Sequence, residues 1–169
     1  PSTCPARPAH PQPLAEARDL ADRFHARHGE LVTEPRGLCP AVGARIMALQ
    51  EPSNKLSTTG CTPQGTVLVL DPPDVIRKKF KTAVTDSSRE VQYQPDEKPG
   101  VSNLIEILSV ASDTPIAEVE KAYEGRGYGD LKGDVAEAVV EHFRPMQERH
   151  AELRADEGAR RRLLQVGAA

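Results

Sequence analysis

The sequence predicts a mainly α-helical protein, in which a bundle of helices follows a shorter region of loops and short strands. Apolar residues recur every three or four positions through most of residues 71–169, and short polar turns separate these segments. Residues 14–70 begin with one such pattern but then contain prolines, glycines and only short apolar runs. Residues 1–13 are rich in proline, so we expect them to be extended or disordered. The expected parts are therefore 1–13, 14–70 and 71–169.

The composition excludes several classes of protein. The formal net charge of the 169 residues is -3, so a nucleic acid would have to be bound by local basic patches. The three cysteines lack C-x-x-C spacing, and no His, Cys, Asp and Glu set has metal-site spacing. No apolar run is long enough to span a membrane, and the first residues lack a signal-peptide core. We expect a soluble cytoplasmic protein without a metal site, a membrane partner or a DNA partner.

The first helix is expected over Leu14–His28, where apolar residues follow helical spacing, and it should end at Gly29. His25 and His28 near its end are interpreted as exposed side chains favoured by the helix dipole, because no further ligand residue has suitable spacing.

The segment Val42–Gly60 combines an expected strand, Arg45–Leu49, with a polar turn and a hydroxyl-rich loop. The loop carries Lys55, Ser57, Thr58 and Thr59. Ammonium and hydroxyl donors in a loop suit the charge of a polyphosphate, although an ordinary solvated loop has the same composition. A second strand or extended segment is expected at Thr66–Leu70.

The bundle should begin with a helix whose N-cap is Asp71 and whose first turn holds Pro72 and Pro73. A second helix of the bundle is expected at Val101–Ala111. A third should follow Pro115, with Glu118 capping its first turn. The longest helix should extend from Gly133 to about Ala155, with a kink at Pro145. A last helix should pack back through Leu163 and Leu164. The glycine-rich run at 124–130 follows a helix, so it indicates a turn between helices rather than a phosphate-binding loop.

One face of the first bundle helix is basic, because Arg77, Lys78 and Lys79 lie opposite its apolar stripe. This face is either solvated or in contact with RNA phosphates, and the pattern does not separate the two.

Several segments together resemble bacterial tryptophanyl-tRNA synthetases, which belong to the class I aminoacyl-tRNA synthetase family. The similar segments are Gly43–Met47, Leu49–Pro52, Lys55–Thr59, Asp71–Lys79, Ala83–Asp86, Glu97–Leu104, Tyr123–Asp130 and Asp134–Val140. They follow the family's order, and the resemblance extends from about Leu14 to the end of the chain.

The resemblance implies a fold, an activity and a set of site residues. Residues 71–169 correspond to the helical domain that engages the anticodon end of tRNA, and 14–70 to a remnant of the Rossmann-like α/β catalytic domain. The family uses Mg²⁺-bound ATP to activate tryptophan as its adenylate and transfers it to tRNA. Lys55 and Ser57 match the family's KMSKS signature, Thr59 is a mild change, and Thr58 replaces its second lysine. The backbone around Ile46 corresponds to the position that contacts adenosine.

The sequence also departs from the family. No His-x-Gly-His signature is present, and Arg7–His10 replaces a Gly-Glu-Asp-Gln type segment that helps to bind ATP. Residues 1–70 are too short for a dinucleotide-fold sheet, whose strand–helix–strand units each need about thirty residues. We therefore expect a truncated homologue that is not catalytic alone. The alternatives are a non-catalytic tRNA-binding or regulatory module, and one half of a split synthetase completed by a catalytic half or a synthetase subunit.

Overall fold

The structure, a computed structural model, describes residues 3–5, 11–38, 42–54, 56 and 62–167. These residues form helices for the most part, which confirms the predicted mainly α-helical class. The elements are β1 (Thr3–Pro5), α1 (Pro11–His28), β2 (Arg36–Leu38), α2 (Pro73–Lys81), α3 (Pro99–Ser112), α4 (Ile116–Ala122), α5 (Tyr128–Ala155) and α6 (Glu157–Gly167). The chain divides into two compact units, Pro1–Arg45 and Ile46–Ala169.

The first unit is a short strand–helix–strand piece. β1 and β2 pair in parallel, with Thr3 opposite Arg36, and α1 connects them. Parallel strands require such a crossover, which is the building unit of α/β sheets. The Nε of Arg18 on α1 donates a hydrogen bond of 2.9 Å to the carbonyl of Pro35, just before β2. The helix ends as predicted, because Gly29 adopts a φ of 81° and its N–H donates to His25 O.

The prediction that residues 1–13 are extended or disordered is wrong at Pro11–Pro13, which are helical, whereas Thr3–Pro5 is extended as predicted. Thr3–Pro5 pairs as β1, and Pro11–Pro13 form the first residues of α1. Prolines fit there because the first turn of a helix has backbone N–H groups without helical partners, so their absence costs little.

The strand predicted at Arg45–Leu49 is absent, and Thr66–Leu70, predicted as a strand or an extended segment, is not a strand. Arg45–Leu49 consists of bends with a single bridge residue at Met47, and Thr66–Leu70 is irregular chain ending in a turn closed by Asp71 N–H and Leu68 O at 3.0 Å. Apolar and β-branched residues favour extended backbone, but a strand also needs a neighbouring strand. Among the described residues, Arg45–Leu49 has one bridge, flanked by hydrogen bonds to Asn54 and Leu56, and its other hydrogen bonds go to loops and to a helix.

The second unit is built around α3, which has eight buried residues. α3 packs against α5 and α4, and α2 packs against α5. The largest fully buried side chains of this core are Ile76 and Phe80 from α2, Val101, Leu104 and Ile105 from α3, and Leu131 and Val135 from α5. The described part of the chain contains no helix long and apolar enough to cross a membrane.

Three details of the bundle differ from the expectations. Pro72, rather than Asp71, occupies the N-cap of α2, and the Asp71 carboxylate accepts a hydrogen bond from the Leu68 N–H instead. Glu118 does not cap α4, whose N-cap is Pro115 without a side-chain hydrogen bond. Leu164 on α6 is 73% exposed, so its side chain does not pack back on the described part of the chain, and the side chain of Leu163 lies outside that part. Residues 124–127 of the glycine-rich run do form the turn between α4 and α5, as predicted, but α5 begins at Tyr128 rather than at Gly133 and so includes the rest of the run.

Candidate functional site

The predicted loop residues Lys55, Ser57, Thr58 and Thr59 lie outside the described residues. The structure does describe the segment that leads to them, residues 46–54 together with Leu56, which we call the signature turn. Its two ends lie side by side, because Ala48 N–H donates to Asn54 O at 3.0 Å and Leu56 N–H donates to Ile46 O at 3.1 Å. The backbones of Ile46 and Ala48 are thereby bound to Leu56 and Asn54, the two residues that flank Lys55 in sequence.

The middle of the signature turn is attached to the bundle through Leu49. The N–H of Leu49 donates to Gly65 O at 3.0 Å, and its carbonyl accepts from Val84 N–H at 2.8 Å. The side chain of Leu49 is 5% exposed and belongs to the hydrophobic core. Next to it, Gln50 Nε2 donates to Thr82 O at 2.9 Å, just after α2. The turn is therefore an integral part of the second unit.

The start of the signature turn is attached by a side chain of α3. The carboxamide of Asn103 accepts a hydrogen bond of 2.8 Å from the Met47 N–H and donates one of 3.1 Å to the Met47 carbonyl. Asn103 is 4% exposed. Sequence reasoning missed this residue, although an asparagine within the apolar stretch Val101–Ile105 was a usable signal, because a buried carboxamide needs partners.

An apolar cavity of about 250 Å³ lies between the signature turn and the bundle. Its walls include Ile46, Met47 and Leu56 from the turn, Phe80 from α2, Val110 from α3 and Phe143 from α5. Leu49 lines the same cavity, but it is 5% exposed, whereas Ile46, Met47 and Leu56 are partly exposed. These three residues therefore depend more on hydrogen bonds for their position.

The three basic residues predicted on α2 have different environments. Arg77 forms two hydrogen bonds with the Glu137 carboxylate of α5, at 2.6 and 3.0 Å. These bonds raise the pKa of Arg77 and lower the pKa of Glu137. Lys79 has a side chain that is only 13% exposed. Lys78 is exposed to solvent, so it is the member of the basic face best placed to meet a phosphate.

Lys79 connects α2 to the segment before it. Its Nζ lies 2.6 Å from the Asp71 carboxylate and donates to Thr66 O at 2.7 Å. Burial raises the pKa of Asp71, but the hydrogen bonds from Lys79 and from the Leu68 N–H outweigh it and hold that pKa below its usual value. Lys79 thus stabilises the fold of residues 66–71, a role that the helical pattern of α2 does not indicate.

A second, open cleft of about 730 Å³ lies where the loop after α2 meets the turn between α4 and α5. Arg89, with a positive φ of 68°, and Arg126 both line it. The Arg126 guanidinium lies 4.9 Å from the ring centre of Tyr123 and 3.6 Å from the Asp134 carboxylate. Its positive charge is therefore already shared with an aromatic ring and an acid, and acidic side chains also line the cleft.

Comparison with known proteins agrees with the resemblance seen in the sequence. Residues 12–144 match the family described as "tRNA synthetases class I (W and Y)". The chain is 51% identical over 152 residues to "Tryptophan--tRNA ligase 1" of Streptomyces coelicolor, covering 90% of this chain and 45% of that protein. It is 47% identical over 147 residues to the "Tryptophan--tRNA ligase" of Listeria monocytogenes, covering 86% and 44%.

The fold comparison points the same way. The structure is similar to the tryptophanyl-tRNA synthetase of Mycoplasma pneumoniae, with a TM-score of 0.74 and 27% identity, over 88% of this chain and 46% of that one. A synthetase from Campylobacter jejuni, at 23% identity and a TM-score of 0.62, has a similar fold. The chain spans about half the length of the relatives that it matches. It belongs to the class I tRNA synthetase family for tryptophan and tyrosine, as a half-length homologue of tryptophan–tRNA ligases.

Proposed function

We propose that this chain provides the distal part of a tryptophan–tRNA ligase, namely the loop that faces the ATP phosphates and the helical bundle that engages tRNA. The observation that carries this proposal is the 51% identity to a tryptophan–tRNA ligase across 90% of the chain, which exceeds what a shared fold alone would require. The signature turn supports it, because its backbone is bound to the bundle at Met47, Leu49 and Gln50.

The loop residues have the chemistry that a triphosphate requires. Lys55 can place an ammonium group near the phosphates, and Ser57 and Thr59 can donate hydroxyl hydrogen bonds as charge develops on the leaving pyrophosphate. The backbone around Ile46 would contact the adenosine. Mg²⁺ would come bound to the ATP phosphates, as the resemblance to the family implies.

Thr58 limits this chemistry because it lacks the charge of the lysine found there in the family. The loss of one preorganised charge costs on the order of a hundred- to a thousand-fold in rate. The sequence also contains no His-x-Gly-His signature. Catalysis would therefore need the rest of the ligase, on the same or a separate chain, and Thr58→Lys alone would not restore it.

A pyrophosphate-exchange assay with tryptophan and ATP tests the catalytic part of this proposal. We expect no exchange from residues 1–169 alone, and none from the Thr58→Lys variant. The two should become active only together with a complementary catalytic half. Clear turnover by the chain alone would contradict the proposal.

Binding of tryptophan tRNA tests the role of the bundle. Arg77, Lys78 and Lys79 are the proposed contacts; Arg77 is bound to Glu137 and Lys79 to Asp71, whereas Lys78 is exposed. We expect Lys78→Ala to weaken binding. The slope of log K against log salt concentration should become less steep by roughly one, because one fewer counterion is released. Glu141→Gln, on the exposed surface of α5, is the control that should leave that slope unchanged. Equal affinity for every tRNA would contradict specific recognition of tryptophan tRNA. If the chain binds that tRNA specifically but no complementary half makes it catalytic, the alternative of a non-catalytic tRNA-binding module would be favoured.

A further inference from the structure

We propose that Asn103 is a positioning residue for the signature turn, and that its buried carboxamide holds the Ile46 end of this turn against α3. The meaning of this contact for ATP rests on the function proposed above, whereas the contact itself involves only residues of this chain.

The geometry is that of a backbone partner supplied by a side chain. Asn103 Oδ1 accepts from Met47 N–H at 2.8 Å, while Asn103 Nδ2 donates to Met47 O at 3.1 Å, so both polar groups of one peptide residue are satisfied at once. A carboxamide has this donor and acceptor pair, whereas a carboxylate has two acceptors and leucine has neither. At 4% exposure, Asn103 has little access to water that could replace either bond.

The location of this contact separates it from the other attachments of the turn. The hydrogen bonds to Gly65, Val84 and Thr82 hold Leu49 and Gln50, in the middle of the turn. Asn103 binds Met47, which directly follows Ile46, and the Ile46 carbonyl accepts from Leu56 N–H.

Ile46, Met47, Leu49 and Leu56 all line the cavity, but only Leu49 is buried, and it also has its own backbone hydrogen bonds to Gly65 and Val84. Loss of the Asn103 carboxamide should therefore release Ile46 and Leu56 while Leu49 stays in place.

Amide hydrogen exchange measured by NMR on the full chain tests this inference. The variants are Asn103→Leu, which removes both bonds, and Asn103→Asp, which keeps the size and one acceptor but loses the donor. Ser109→Ala is the matched control, because Ser109 lies on the same helix, is 5% exposed and donates a hydrogen bond of 2.6 Å to Thr114 O, at the other end of α3.

We expect exchange at the N–H groups of Met47 and Leu56 to accelerate by on the order of tenfold to a hundredfold in both Asn103 variants. Exchange at Leu49 and in the core of α5 should change no more than in Ser109→Ala. A uniform acceleration equal to that of the control, or unchanged exchange at Met47 in Asn103→Asp, would overturn the inference.

The wild-type chain supplies a test that does not depend on whether the variants fold. The carboxamide hydrogens of Asn103 should exchange much more slowly than those of Asn54, which is exposed. Equal rates would overturn the inference.

ATP binding is measured on the same samples by equilibrium dialysis. If the wild-type chain binds no ATP, the proposed nucleotide function fails, while the exchange pattern still decides whether Asn103 positions the turn. If it binds, we expect Asn103→Asp to weaken binding by about tenfold and Ser109→Ala to leave it unchanged.

Discussion

Replacement of Gly100 by alanine should strongly destabilise the second unit, because the backbone of another segment occupies the space that a side chain would need. A Cβ atom at Gly100 would lie 2.2 Å from the Val84 carbonyl oxygen and 3.2 Å from the Val84 carbonyl carbon. Ordinary carbon–oxygen contacts are about 3.3 Å or longer, so the two backbones would have to separate by about 1 Å. No rotation of a side chain can relieve this contact.

The magnitude follows from two opposing effects. Overpacking of this kind costs about 3 kcal/mol at the upper end of its usual range, and the higher helix propensity of alanine returns about 1 kcal/mol. We expect a net loss of about 2 kcal/mol in the free energy of unfolding. Because Val84 N–H also donates to Leu49 O at 2.8 Å, the displacement should extend to the signature turn.

Gly133→Ala is the matched control, because a Cβ at Gly133 on α5 would have no neighbour within 4 Å. The same substitution should stabilise there, by roughly 0.5–1 kcal/mol, since alanine orders more readily in a helix than glycine. The two variants should therefore differ by about 3 kcal/mol with opposite signs relative to the wild type.

Urea unfolding followed by tyrosine fluorescence measures this difference. The chain has no tryptophan, and its three tyrosines all lie in the second unit, so the signal reports on that unit alone. If Gly100→Ala were as stable as Gly133→Ala, the close approach of α3 to Val84 would be refuted. Circular dichroism of the folded baselines controls for a change of structure.

The remaining predictions concern ionisable groups. Lys79→Ala should lower the free energy of unfolding by about 2 kcal/mol, because it leaves the Asp71 carboxylate without its cation. Its exposed neighbour supplies the control, since Lys78→Ala should stay within about 0.5 kcal/mol of the wild type. Equal urea midpoints for the two variants would contradict the ion pair. Since the pKa of Asp71 is lowered on folding, its contribution to stability is present above the usual value of 3.8 and is lost as the pH falls below it. Urea midpoints from pH 6 to pH 2 should therefore fall less steeply in Lys79→Ala than in the wild type. In alkali, the Glu106 hydrogen bond raises the pKa of Tyr93 to about 12, and burial raises the pKa of the other two tyrosines as well. Phenolate absorbance should thus appear at a higher pH in the folded chain than in urea, and stability should decline as the pH rises above 10, because the folded state holds its phenol protons more tightly. Phenols that ionise at the same pH in the folded chain and in urea would contradict these contacts.

The sequence determined the helices of this protein, because their signal is local. Apolar spacing in α1, α3 and α5 places side chains on one face whatever the rest of the chain does, and Gly29 ends α1 because it tolerates a left-handed backbone. Family membership was also contained in the sequence, since it depends on the order of several local segments and not on their packing.

Only the tertiary structure decided which polar residues are structural and which face solvent. Lys78 and Lys79 are adjacent on one helix, yet one is exposed and the other is bound to Asp71, because the segment before α2 folds back over a single face. The strand predicted at 45–49 is reduced to one bridge residue, because its hydrogen bonds are divided among residues 54 and 56, Gly65, Val84 and the side chain of Asn103. Met47 and Asn103 are 56 residues apart in sequence, and no local pattern shows that they meet.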